Sequence, residues 1–408
     1  MASSSAGSAT MDFTNHRLAS SEALVSRARE IAPLLAKHAL QGEKERRASA
    51  ESIRAISDAG LFQLMVPKRY GGYEGSIRTH LEVSAELAEG CAGSAWVTAL
   101  TNVCAWFTAL YEVRAQDEVW GVNPMARVCG VFAPSSNCQR STGGLTVSGK
   151  WYWSSGCLHA DWACLGVLEK DAAGAVVDQY LALIPMSELT IEDTWFTVGM
   201  RASGSNCVVA KNVFVPDHRL MSIIAAIGGT YPTERTEEAA YRAAFVPVAA
   251  LILVGPQLGL GRAALKYVIE KAPQRAIAYT SYEKQSESVG FQMQLADAAM
   301  KIDTAHLHAF RAAADIDNAA TKGEYLAPVL RARVRADTGY AAKQITDALN
   351  ILMTAHGAGS FAESSPLQRI WRDSNTAARH AIVLQPIGDE IYGKALLGMP
   401  TNVVTPLV

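Results

Sequence analysis

The sequence predicts an α+β chain that is mainly α, with a β-rich segment set between two helical blocks. Three observations predict it. From about Arg17 to Gln116, Ala, Leu, Glu and Arg recur at helical spacing. Between Met125 and Pro216, β-branched and aromatic residues gather into short runs bounded by turn residues. From Ala239 to about Leu384 the helical spacing returns.

Taken in order, residues 1–16 begin Ser/Ala-rich, with neither a charged n-region nor an apolar h-region. They read as a disordered leader rather than a signal peptide. Residues 17–124 form an N-terminal helical domain. Within it, Gly60 follows ESIRAISDA as a C′ glycine, and PKRYGGYEG is a loop. Residues 125–220 form the central β domain, with strands expected at Leu145–Trp153 and Cys207–Val215. Gly143-Gly144 and Pro216-Asp217 supply turns. A loop is expected over 221–238, a C-terminal helical bundle over 239–385 and a tail over 386–408.

Hydrophobic residues make up 49% of the 408 and charged residues 19%, enough for a large interior. A net charge of −2 gives no electrostatic case for nucleic acid or an anionic membrane. The longest apolar run, Phe245–Val254, falls short of a bilayer span and reads as a buried helix. Seven cysteines without a CxxC pair, in apolar surroundings, read as small buried hydrophobes in a reducing cytoplasm. No zinc-type spacing appears, and His306 and His308, two apart on a helix, point in different directions, so no metal site is expected. Gly259-Leu-Gly-Arg-Ala-Ala264 matches a G-x-G-x-x-A dinucleotide fingerprint. A Rossmann site needs that loop inside a βαβ unit, whereas long helices follow here, so close helix packing explains the glycines better.

The informative stretch is Gly149-Lys-Trp-Tyr-Trp-Ser-Ser-Gly156, followed by Cys-Leu-His-Ala-Asp-Trp162. An aromatic strand ending in hydroxyls and a glycine can cover a flat cofactor, with Trp153 laid against it and Ser154 and Ser155 aimed at its edge. Read alone, the same stretch equally fits a packed β-core. It resembles the W-x-[FWY]-[AS]-S-G…H-A-D-W segment of two-component flavin-dependent monooxygenases of the acyl-CoA dehydrogenase superfamily. Four further stretches resemble that group in the same order. They are Gly60-Leu-Phe-Gln-Leu-Met-Val-Pro67 with Tyr70-Gly71-Gly72, and Gly130-Val-Phe-Ala-Pro134, which includes Phe132. Then come Thr197-Val-Gly-Met-Arg-Ala-Ser-Gly-Ser205 and Arg369-Ile-Trp-Arg-Asp373.

The departures from dehydrogenases point to function. Common acyl-CoA dehydrogenases carry a catalytic glutamate in Y-E-G-T after R-D. Here Arg372-Asp373 is followed by SNTAARHAIVLQPIG, with Ala381 near the glutamate position and no carboxylate before Asp389. Without that base, α,β-dehydrogenation of a thioester has no evident proton acceptor. His380 stands close by, and Asp373, Thr376 and His380, at i, i+3 and i+7, would share one helical face. Some phenol-hydroxylating relatives place a histidine in the helix before the β domain, whereas Leu100–Trp106 has none.

The resemblance implies an acyl-CoA dehydrogenase fold: N-terminal helical domain, central β-barrel-like domain and C-terminal four-helix bundle. It implies a monooxygenase that hydroxylates a small indolic or phenolic molecule with dioxygen through a flavin hydroperoxide. Reduced FAD or FMN would come from a separate NAD(P)H:flavin reductase. His380, Ser155 and Asp373 would be catalytic, with His380 handling the proton. Phe132, Trp153, Ser154, Ser155, Arg275, His356 and Gly357 would bind cofactor; Arg275 stands in the R-x-x-F-G position and His356-Gly357 in that of G-G-x-G. A homotetramer is implied. A dehydrogenase with a relocated base and a non-catalytic flavin-binding relative are the alternative readings.

Overall fold

The structure, a computed structural model, describes residues 19–171 and 173–408, so the expected leader lies outside the described residues. Five helices come first: α1 (Ser21–Glu45), α2 (Ala50–Asp58), α3 (Ile77–Gly90), α4 (Ala92–Thr108) and α5 (Val113–Gln116). Ser20, Ser49 and Ser76 each accept a hydrogen bond from the backbone amide three residues on, capping α1, α2 and α3. Gly60, with φ +75°, ends α2 as expected: its amide and that of Leu61 return to the Ser57 and Ile56 carbonyls.

Eight strands follow: β1 (Val128–Val131), β2 (Ser136–Ser141), β3 (Gly144–Ser154), β4 (Trp162–Lys170), β5 (Val176–Pro185), β6 (Thr190–Glu192), β7 (Asn206–Pro216) and β8 (Leu220–Ser222). They form two four-stranded sheets, ordered β1-β4-β5-β8 and β2-β3-β7-β6. Every pairing is antiparallel except β1 with β4. Between the sheets lies a core of their alternate residues, among them Leu145, Val147 and Trp151 from one and Leu165, Val167 and Ile184 from the other.

The remaining helices are α6 (Ile223–Ile227), α7 (Phe245–Leu251), α8 (Gly255–Lys271), α9 (Val289–Lys322), α10 (Pro328–His356), α11 (Pro366–Ala377) and α12 (Gln385–Leu396). Two expectations need correction here. The segment 221–238 is not all loop, because Ser222 caps the short α6. The tail 386–408 carries most of α12, whose Ile391 packs into a small core with Ala332 and Val408. The apolar run is also longer than the sequence suggested. Phe245–Gln274 is helical for 30 residues and apolar enough to cross a membrane by length, but 83% of its most apolar window is buried inside the protein. It is the central helix of a core shared by the N- and C-terminal helices. Its G-x-G-x-x-A glycines lie within α8. A Cβ on Gly259 would overlap the Ala85 carbonyl of α3, and one on Gly261 would sit 2.8 Å from Ile345 Cδ1. The glycines serve helix packing.

Candidate active site

In β3, Leu145, Val147 and Trp151 alternate into the β core, and Trp151 Nε1 donates to the Gly166 carbonyl at 2.8 Å. Strict alternation would bury Trp153 too. Instead the register against β7 shifts between Trp151 and Ser154, and Trp153 adopts φ +66°. A bulky side chain in the left-handed region is strained, and strain held by a bulge re-aims a side chain. Trp153 is thereby 73% exposed while Ser154 is fully buried.

Ser155 sits at the centre of a chain of buried hydroxyls. Its Oγ accepts from Trp96 Nε1 at 3.0 Å and lies 2.7 Å from Ser205 Oγ, which lies 2.7 Å from Ser203 Oγ. Ser154 turns the other way and donates to Cys129 Sγ at 3.5 Å. Ser203 and Ser205 close the Thr197–Ser205 stretch, which is clamped from both sides. A Cβ on Gly93, at the start of α4, would lie 2.6 Å from Ala202 Cβ. On the other side, a Cβ on Gly199 would overlap the Arg372 carbonyl of α11. Arg372 also donates to the Val198 carbonyl, and Asp373 Oδ1 accepts from the Met200 amide at 2.6 Å. Burial raises the Asp373 carboxyl to about 6, against the pull of the Met200 amide and of Arg369. Asp373 therefore builds the loop that holds Ser155.

His380 departs from the expected face. α11 ends at Ala377, so the i, i+7 relation fails, and His380 lies in the turn before α12. The Ile382 amide donates to His380 Nδ1 at 3.3 Å, and the ring lies 6.1 Å from that of Trp96, centroid to centroid. His380 is exposed at the surface, although protein atoms crowd its ring. Burial, with Arg335 adding, lowers its pKa to about 4. The ring is therefore neutral at pH 7. With Nδ1 accepting, Nε2 carries the proton.

A second group forms elsewhere. Arg275, His356 and Gly357 line one cavity of about 770 Å³ between the α8–α9 connection and the end of α10. Arg275 Nη2 donates to the His356 carbonyl at 3.1 Å, while Arg275 Nε, His356 Nδ1 and Gln285 Oε1 are buried without partners. Phe132 joins neither group through its ring, which packs 4.8 Å from Phe107 and stacks 5.6 Å from Phe245. Trp96, Ser203, Ser205 and Arg335 were not singled out from sequence. The serines lay inside a quoted motif, but only the fold shows that they hold Ser155.

These features fit a flavin. An exposed, strained indole offers a flat face beside a fixed hydroxyl, and a cavity of unpartnered polar atoms suits a phosphate-bearing arm. The family of acyl-CoA dehydrogenase N-terminal domains matches residues 19–121, and that of the C-terminal domains matches residues 251–385. The chain is 32% identical to the flavin-dependent monooxygenase oxygenase subunit HsaA of Rhodococcus jostii, over 91% of this chain and 97% of that protein. It belongs to the flavin-dependent monooxygenases of the acyl-CoA dehydrogenase fold. A further relative of this monooxygenase is the oxygenase component of a FADH2-dependent resorcinol hydroxylase from Rhizobium, 30% identical over 92% of this chain and 94% of that one. Among solved structures, XiaF from Streptomyces, in complex with FADH2 and glycerol, superposes with a TM-score of 0.89 at 39% identity. The match covers 93% of this monooxygenase and 96% of XiaF. Dibenzothiophene monooxygenase from Paenibacillus, at 21% identity and a TM-score of 0.77, shares the fold.

Proposed function

We propose that this chain is the oxygenase component of a two-component system that hydroxylates a small phenolic or indolic molecule. The observation that carries the reading is the strained Trp153 beside Ser155, the hydroxyl at the centre of the Trp96–Ser155–Ser205–Ser203 chain. Relatives that act on aromatics support it: the resorcinol hydroxylase, and an indole-3-acetate monooxygenase from Pseudomonas putida that is 24% identical. Reduced FAD is favoured over FMN, because XiaF at 39% identity holds FADH2 while the FMN-holding relative is 21% identical.

Trp153 and Ser155 would hold the flavin ring, and Arg275, His356 and Gly357 would hold its phosphate arm. Reduced flavin, when bound, supplies the two electrons with which dioxygen gives one atom to the substrate and one to water. The protein's part is to orient the ring, exclude water and hold protons in place. His380 is poorly placed as a base, because its free nitrogen is engaged by the Ile382 amide. It acts as a neutral donor from Nε2 toward a substrate oxygen. The position of the dehydrogenase glutamate holds Ala381, with no carboxylate between Asp373 and Asp389.

Assembly of copies fits the surface. On α9, Val289, Met293, Met300 and Leu307 are all exposed, and the last three repeat every seven residues on one face. Met293 also borders the Arg275 cavity, so a second copy on this face would close that end of the cofactor site. We take the assembly as a homotetramer working in the cytoplasm.

The test is reconstitution. With NADH, FAD, a flavin reductase and a phenol or indole panel, an oxygenated product is expected. Omitting the reductase should abolish it. Desaturation of an acyl-CoA by the same preparation would sink the proposal.

A further inference from the structure

The hydroxyl chain at Ser155 holds one proton more than it has links. Trp96 Nε1 donates to Ser155 Oγ at 3.0 Å, and Ser205 Oγ lies 2.7 Å from both Ser155 Oγ and Ser203 Oγ. All four side chains are buried. Among the described residues, the three hydroxyls make no hydrogen bond beyond these contacts. An indole N–H can only donate, whereas a serine hydroxyl donates once and accepts twice. Four protons therefore serve three links, and the one left over sits on Ser203, Ser205 or Ser155.

Burial decides between the three. Ser203 and Ser205 are each 2% exposed, so a spare proton on either would point into protein with no acceptor among the described residues. A buried donor without an acceptor costs the full desolvation of that group. Ser155, at 7%, is the most accessible of the three. With the spare proton there, Ser203 donates to Ser205, Ser205 donates to Ser155, and every other proton has an acceptor. Both lone pairs of Ser155 are then filled, by Trp96 and Ser205, which leaves it only its own O–H to offer. Each donor in such a row strengthens the next. Ser154 is no rival, because it is fully buried and its hydroxyl donates to Cys129 Sγ. The backbone holds the row in place: the Gly156 amide donates to the Ser203 carbonyl at 3.4 Å.

We propose that Ser203 and Ser205 are positioning residues whose hydroxyls run the chain toward Ser155, so that Ser155 meets bound flavin as a hydrogen-bond donor and not as an acceptor. This rests on the reading in which Ser155 holds the flavin ring, and deepens it by fixing the kind of atom it takes there. That atom carries a lone pair, as a ring carbonyl oxygen or an unprotonated ring nitrogen does. A ring N–H turned toward Ser155 would find no free lone pair. Trp96 anchors the direction, because its N–H cannot reverse.

The direct test is neutron diffraction from crystals of the wild-type protein grown with reduced FAD in D2O without oxygen, which locates each hydroxyl deuteron. The Ser203 deuteron should lie toward Ser205, that of Ser205 toward Ser155, and that of Ser155 off the row, on a flavin acceptor. A Ser155 deuteron on the line to Ser205, with flavin in place, overturns the proposal and leaves the hydroxylase reading standing. Deuterons in the expected order with no flavin atom in reach of Ser155 would uphold the chain's direction and sink the cofactor reading instead. Binding of reduced FAD, measured by anaerobic calorimetry, tests the same claim in solution. Ser205→Ala should weaken it by about three- to tenfold, the worth of one neutral hydrogen bond. Ser205→Thr, which restores the hydroxyl, should bring affinity back to within about twofold of wild type. A merely structural serine would lower the melting temperature of Ser205→Ala while the folded fraction bound reduced FAD as tightly as wild type, and that result would also count against the proposal.

Discussion

The two halves of the proposed cofactor site are built in opposite ways. Around Ser155, every hydroxyl has a partner, and the supporting loop is gripped by α4 and α11 through glycines that leave no room for a methyl. Around Arg275, the cavity is open, polar atoms are unpartnered, and Gly357 has nothing within 4 Å of where a Cβ would lie. The first half is complete within one chain. The second leaves Arg275 Nε, His356 Nδ1 and Gln285 Oε1 without partners among the described residues, which suits the proposed phosphate-bearing arm. Rigid support belongs where chemistry needs fixed donors, and openness where affinity is gained on binding.

One substitution made in both halves tests the contrast most severely. Gly199→Ala should be grossly destabilising, by more than about 3 kcal/mol, because its methyl meets the Arg372 backbone. Gly357→Ala meets no atoms and should cost only the strain of its positive-φ, extended-ψ backbone (φ +84°, ψ −174°), a region kept almost entirely by glycine, about 1–3 kcal/mol. Equal losses in chemical denaturation would erase the distinction.

Asp373 gives a pH-dependent version. Its folded pKa, about 6, is above the 3.8 of an ordinary aspartate, so its protonated form is favoured by folding. That contribution is fully present below pH 3.8 and is lost as pH rises through 6. Asp373→Asn keeps an acceptor for the Met200 amide without the charge. Relative to wild type, the variant should therefore gain on the order of 2–3 kcal/mol between pH 4 and pH 7. A difference independent of pH would show that the carboxylate is not buried as described.

The smallest expected effects compare Ser155→Ala with Arg275→Ala. The first strands the Trp96 indole N–H and should cost about 1–3 kcal/mol of stability, with product per oxygen consumed falling as well. The second should leave the flavin-free protein's melting unchanged and weaken flavin binding by about tenfold. If Arg275→Ala lowers the melting temperature as much as Ser155→Ala does, the open half is structural after all.

The sequence carried the fold far because its strongest signals were local. Strands Leu145–Trp153 and Cys207–Val215 announced themselves by β-branched and aromatic runs, and both are present within a residue or two. The site was legible as a set of motifs but not as an arrangement. Trp153 stands out of the sheet because of a bulge, which no alternation pattern shows. Asp373 and His380 looked like one helical face, yet α11 stops at Ala377, just before an Ala-Arg-His turn that carries no breaker residue. Asp373 then serves the Thr197–Ser205 loop while His380 sits in the turn before α12, beside the Trp96 ring. Arg335 left no trace in the sequence, because a buried cation is defined by what surrounds it.

The most direct test of the account follows the oxygen atom. In a reaction supplied with reductase, NADH, FAD and an accepted phenol or indole under 18O2, the product should carry one labelled oxygen atom and show none from labelled water. Product whose new oxygen comes from water, or product formed at full rate without dioxygen, would contradict it.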